Sequence, residues 1–191
     1  MSSDLITPTA HDVADLLQRL SHSQWPTSDA ERVAWCHRFG LPDTRDPQHR
    51  PDPTGQAFAA PAATTRPGRN FGWHTYRGDF VGVSWFLWDE LPRAEVRARA
   101  VQLKTLIDQH FGPPAHEFPG DPATPLGFTS WWQQFGRTVE LYFHTGIHTR
   151  PSGEREDGPA VVQLHLNDTA RSDAQEAHAR RHPPSRPSSP A

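Results

Sequence analysis

Twelve histidines and a single cysteine, Cys36, are the side chains in this 191-residue chain with the most capacity for chemistry. His144 and His165 fall on the polar sides of two alternating stretches, Arg137–Thr145 and Ala160–Asn167. If these stretches pair in the right register, the two imidazoles stand opposite one another, with Cβ atoms about 5 Å apart. Glu140 or His148 then offers a third ligand of a type that zinc accepts. No HExxH or Cys/His spacing accompanies them, and histidines on the solvent side of a strand are ordinarily hydrated. His144 and His165 are therefore candidate metal ligands in a secondary reading only, and no motif calls for a cofactor.

The remaining nucleophiles read as structural. Cys36 follows Trp35 in a helical pattern, and the adjacent His37 points about 100° away around a helix, so it cannot serve as the base a thiol needs. A buried thiol is the simpler reading. Ser84 lies in Gly82-Val83-Ser84-Trp85-Phe86, which lacks the second glycine of a nucleophile elbow. The chain contains no Walker A loop, no dinucleotide fingerprint and no distinctive carboxylate pair. No catalytic residue is assigned, and the sequence leans away from an enzyme.

The anomaly is aromatic. Seven tryptophans is a high count, and Trp73, Trp85, Trp88, Trp131 and Trp132 all fall on or beside strand patterns. Core packing accounts for most of them. Trp and Arg are also favoured anchors for protein partners. Adjacent strand residues face opposite ways, so Trp131-Trp132 places one indole off the core. Trp88, Trp131 and Trp132, flanked by Arg77 and Arg137, are the candidate binding residues.

These side chains need elements to hold them. Thr9 caps a helix over Ala10–Leu20, whose apolar stripe is Val13, Leu16, Leu17 and Leu20. Ser28, with Glu31 three residues on, opens a second helix that stops at Gly40 and Pro42. Phe71–Tyr76 and Phe80–Trp88 read as strands joined by a turn at Arg77-Gly78-Asp79. In the second strand Val81, Val83, Trp85 and Leu87 share one face, with Phe80, Phe86 and Trp88 on the other. A strand apolar on both faces is central or covered on both sides. Pro92 opens a helix with Val96, Ala100, Leu103, Leu106, Ile107 and Phe111 as its buried stripe, ended by Gly112-Pro113-Pro114. Residues 115–129 read as a loop leading to Trp131. Arg137–Thr145 and Ala160–Asn167 form a hairpin around a polar loop at Gly146–Pro159. The expected class is α+β, an antiparallel sheet of four or more strands with helices packed on one face, in the order α-α-β-β-α-β-β.

The expected organisation is one domain over residues 1–170. Residues 43–70 form a Pro-rich irregular insertion and residues 171–191 a disordered tail. A net charge of −3 and a pI near 6.4 argue against nonspecific nucleic-acid binding. A single cysteine excludes an intrachain disulfide, and no apolar run suits a membrane span. The default expectation is a cytoplasmic protein with no membrane partner, its oligomeric state undetermined.

Several motifs carry a resemblance. Leu17-x-x-Leu20 precedes Trp25, and Trp35-Cys36-x-x-Phe39-Gly40 follows. A strand–helix unit then ends in Phe111-Gly112-Pro113-Pro114, and a Trp precedes the strand Val139–Phe143. From Leu16 to about Asn167 this order resembles a family of small uncharacterised actinobacterial domain proteins. It also looks like secretion-chaperone-like and immunity-type α+β folds. The resemblance implies a non-enzymatic module that binds another protein, with no catalytic residues to carry over. The alternative is a small metal-dependent enzyme or small-molecule binder using the sheet histidines or an aromatic-lined pocket between sheet and helix.

Overall fold

The structure, a computed structural model, describes residues 8–41, 56–58, 70–88, 90–119, 127–149 and 155–181. Helices α1 (Ala10–Ser21) and α2 (Asp29–Phe39) come first, then strands β1 (Gln56–Phe58), β2 (Asn70–Tyr76) and β3 (Asp79–Leu87). Helix α3 (Arg93–Phe111) follows. Strands β4 (His116–Pro119), β5 (Gly127–Gln134), β6 (Arg137–Thr149) and β7 (Arg155–Asp168) come next, and helix α4 (Thr169–Arg181) closes the order. All strand pairs are antiparallel, in one 7-stranded sheet ordered β1-β2-β3-β7-β6-β5-β4. The α+β class and the antiparallel sheet expected from the sequence are present.

The helix ends follow their local chemistry. Thr9 and Asp12 form the reciprocal capping box of α1. The Ser28 hydroxyl accepts from the Glu31 N–H, while the Glu31 carboxylate turns back to the Thr27 N–H at 2.7 Å. Gly40 ends α2 in the left-handed region, φ 67°, where a Cβ would be disfavoured. Two tight hairpins use positive-φ pairs, Arg77-Gly78 between β2 and β3 and Phe135-Gly136 between β5 and β6. Such pairs match the twist of the flanking strands.

One face of the sheet is the core. Trp73, Val83, Leu166, Val139 and Trp132 form a row across five strands, and Phe71, Trp85, Leu164 and Leu141 form the next. Helices α1, α2 and α3 cover this face, α3 contributing Val96, Ala100, Leu103, Ile107 and Phe111. The buried Arg32 of α2 stacks its guanidinium 3.8 Å from the Trp73 ring centroid and reaches Asp29 at 3.1 Å. Strand β3 lies inside the sheet between β2 and β7, as its two apolar faces suggested.

Several expectations are corrected. Phe80 does not face away from Val83. A bulge where the register passes from His74 to Thr75 leaves Val81 unmatched and turns Phe80 into the core, 5.0 Å from the Trp25 ring. Residues 115–129 are not all loop, since β4 and the start of β5 lie there. The β6–β7 hairpin extends to Thr149↔Arg155, so pairing runs well into the stretch read as a polar loop, past a bulge between Thr145 and Ile147. Residues 171–181, expected as tail, belong to α4, and the rest of that expectation lies outside the described residues. Within the Pro-rich stretch only β1 and Asn70 are described, and the rest of that expectation lies outside the described residues.

Candidate functional site

Strand alternation gives the sheet a second, polar face. One continuous row on it runs His116 (β4), Trp131 (β5), Glu140 (β6), His165 (β7), Ser84 (β3) and Gly72 (β2). Tyr142, Gln163 and Phe86 form the row on one side. Thr138, Asn167, Gly82 and His74 form the row on the other. Helix α4 lies over the β2–β3–β7 part of this face. His178 of α4 sits 5.9 Å from Tyr76 and within 3.2 Å of the Arg77 guanidinium, and Thr169 meets Thr138 at 3.0 Å. Its Arg171 donates to the carbonyls of Pro26 and Phe80 at 2.8 and 2.7 Å. No residue of α4 is buried, so polar contacts rather than an apolar stripe hold it there.

The centre of the polar face is a hydrogen-bonded carboxylate. The Tyr142 hydroxyl donates to Glu140 Oε2 at 2.5 Å, and Asn167 Nδ2 donates to Oε1 at 3.2 Å. Burial raises the Tyr142 phenol well above its usual range, and the Glu140 bond adds to that. His74 is pushed down to about 4 by burial, with the nearby His165 a further contribution. Burial also lowers His165, against the pull of Glu140. Both imidazoles are thus neutral at physiological pH. Asn167 can lie flat over β3 because residue 82 is glycine: a Cβ there would come within 1.9 Å of Asn167 Oδ1.

Ser84, His165 and Glu140 stand side by side in the order nucleophile, base, orienting carboxylate. The bonds of a triad are not made. Both Glu140 oxygens are held by Tyr142 and Asn167, and among the described residues Ser84 and His165 share no hydrogen bond.

The pairing expected between His144 and His165 does not occur. His165 stands opposite Glu140 and His144 opposite Val161, four residues further along β6. At about 3.3 Å per residue that offset is about 13 Å, too far for shared ligation. The two imidazoles instead flank Tyr142, His144 stacked at 5.9 Å and His165 edge-on at 5.6 Å. Among the described residues no group of three His, Cys, Asp or Glu side chains converges, and the His148 side chain lies outside them.

The candidate binding residues separate sharply. Trp88 is buried at 4%, because φ 59° after the end of β3 folds its indole inward, where Nε1 donates to the Pro8 carbonyl at 2.7 Å. Trp132 is buried at 1% and donates to Asp108 at 3.0 Å. Arg137 is engaged internally, with Asp168 at 2.9 Å and the Trp25 ring at 4.5 Å. Arg77 is tied to Tyr76 and His178 rather than to any tryptophan. Trp131 alone of the seven tryptophans is not buried. It stacks edge-on against His116 and Phe118, each at 5.8 Å, and its indole N–H is buried. Phe118, 58% exposed on β4, is the residue that sequence reasoning missed. Its signal was the His-x-Phe alternation just after Gly112-Pro113-Pro114, hidden by the shortness of the strand.

No helix among the described residues is long and apolar enough to cross a membrane. Compared with protein-family models, curated proteins and solved structures, the chain matches none. The resemblance to chaperone-like and immunity-type folds rests on the sequence motifs alone.

Proposed function

We propose that this chain is a non-enzymatic protein-binding module of the chaperone-like or immunity-type kind, engaging its partner at the β4–β5 margin of the polar face. The observation that carries this reading is the Phe118–Trp131 pair. It is an exposed aromatic contact beside strand β4, at the edge of the described sheet. Trp is among the most favoured anchors of protein partners, where a large side chain is desolvated at the centre of the contact. An edge strand also offers unpaired backbone groups for strand addition. The acidic balance of the chain favours a protein partner over a nucleic acid. Cys36, buried and not in a disulfide, suits a reducing compartment such as the cytoplasm.

The test is quantitative affinity capture from the source cells with the full chain and three variants. Phe118→Ser and Trp131→Ala should each deplete the same partner at least tenfold. Val101→Ser, at an exposed site on α3, should retain it. A partner retained by Phe118→Ser and Trp131→Ala, or lost equally from all three, overturns the assignment.

A further inference from the structure

Between α1 and the core face of the sheet lies a cavity of about 110 Å³, lined by Pro8, Asp12, Val13, Leu16, Leu17, Trp85, Leu87 and Leu164. It is remote from the polar face, because Trp85, Leu87 and Leu164 point the opposite way from Ser84, Phe86 and His165. Val13, Leu17, Trp85, Leu87 and Leu164 are buried and make its walls, while Asp12 is exposed and Pro8 partly so, which places the mouth at the start of α1.

The mouth is fixed in place. The Pro8 carbonyl accepts from Trp88 Nε1 at 2.7 Å and Arg99 Nη1 at 3.1 Å, and the Asp12 carboxylate is held by the Thr9 N–H at 2.8 Å. Protein cores close voids larger than a water, because an unfilled gap forfeits packing on every wall. Water gains little inside walls without polar partners, and apolar cavities of this scale take up single-ring molecules instead.

We propose that this cavity is a binding site for the apolar end of a small molecule, of the size of one six-membered ring or a short alkyl chain. The head group of the ligand rests at Asp12. The Arg99 guanidinium also reaches the mouth, at the Pro8 carbonyl, but it is paired with Glu95 at 2.7 Å, so the Asp12 carboxylate sets the net charge there. That charge repels an anion and tolerates a neutral or amine head, so the class is a small apolar alcohol or amine rather than a fatty acid.

The experiment is methyl NMR of the full chain, titrated separately with benzene, hexylamine and hexanoate. Benzene and hexylamine should shift the methyl resonances of Val13, Leu17, Leu87 and Leu164 saturably. Hexanoate should bind at least fivefold more weakly. Val13→Phe fills the cavity and should abolish the shifts, and Leu16→Phe at the rim does the same if Val13→Phe fails to fold. The absence of saturable shifts at those four residues overturns the site. So does unchanged benzene binding in a folded filling variant. Hexanoate binding as tightly as hexylamine overturns the role of Asp12.

Discussion

Replacing His74 with phenylalanine should remove part of the acid sensitivity of the fold. His74 lies on the polar face beside Tyr76, across from Gly82 and close to His165, with Glu140, Tyr142 and the α4 residues Glu176 and His178 as neighbouring titratable groups on that face. Burial drives its folded value from 6.5 down to about 4. The folded value is below the unfolded one, so the unfolded chain takes up the proton first. Stability is full above about pH 6.5, falls as the pH drops toward about 4, and is level below that. At 1.36 kcal/mol per tenfold change, the whole window costs about 3 kcal/mol, and about 2 kcal/mol is already lost at pH 5. Urea unfolding followed by tryptophan fluorescence, at about pH 7.5 and about pH 5, reads this directly. The wild-type chain should lose about 2 kcal/mol more between those conditions than His74→Phe does. His165 moves in the same direction, so the variant keeps a residual slope. An equal loss in both chains would refute the burial of a neutral His74.

Arg137→Ala should destabilise the fold by about 3 kcal/mol in denaturant titrations, because it strands the part-buried Asp168 and removes the stack on Trp25. Trp132→Phe should cost about 2 kcal/mol, through the lost bond to Asp108 and the smaller ring, without changing partner capture. Gly82→Ala should cost more than about 1 kcal/mol. The added Cβ meets a flexible Asn167 oxygen at 1.9 Å but also the Leu166 backbone oxygen at 2.8 Å. Adding Asn167→Ala should therefore rescue stability only in part, and full rescue would contradict the backbone contact. Val101→Ser should leave stability within about 0.5 kcal/mol of wild type by thermal melting.

The sequence was legible wherever a pattern is local. Caps, turn residues and 3.6-residue stripes placed α1, α2 and α3, and two-residue alternation placed β2, β3, β6 and β7, with the polar sides of β6 and β7 assigned correctly. What was hidden depends on pairing. Alternation assigned His144 and His165 to one face but not to a register, because the long β6–β7 connection leaves the alignment free. The bulge at Val81 reversed Phe80 for the same reason, and the positive φ at Trp88 turned its indole inward. Helix α4 was invisible because Thr169–Arg181 contains no large apolar residue and so no stripe to read. Strand β4 has four residues and ends in Pro119, too short for alternation to register. The Glu140–Tyr142–Asn167 cluster was foreseeable only as separate polar positions on neighbouring strands.

Site-specific photo-crosslinking bears most directly on the proposed partner face. With p-benzoylphenylalanine at Phe118 and, in a second sample, at Val101, both side chains are exposed but on opposite sides of the sheet. A discrete adduct in the source cells from Phe118 and none from Val101, lost when Trp131→Ala is added, is expected. Adducts of equal yield at both positions, or none at Phe118, contradict a partner surface at the β4–β5 margin.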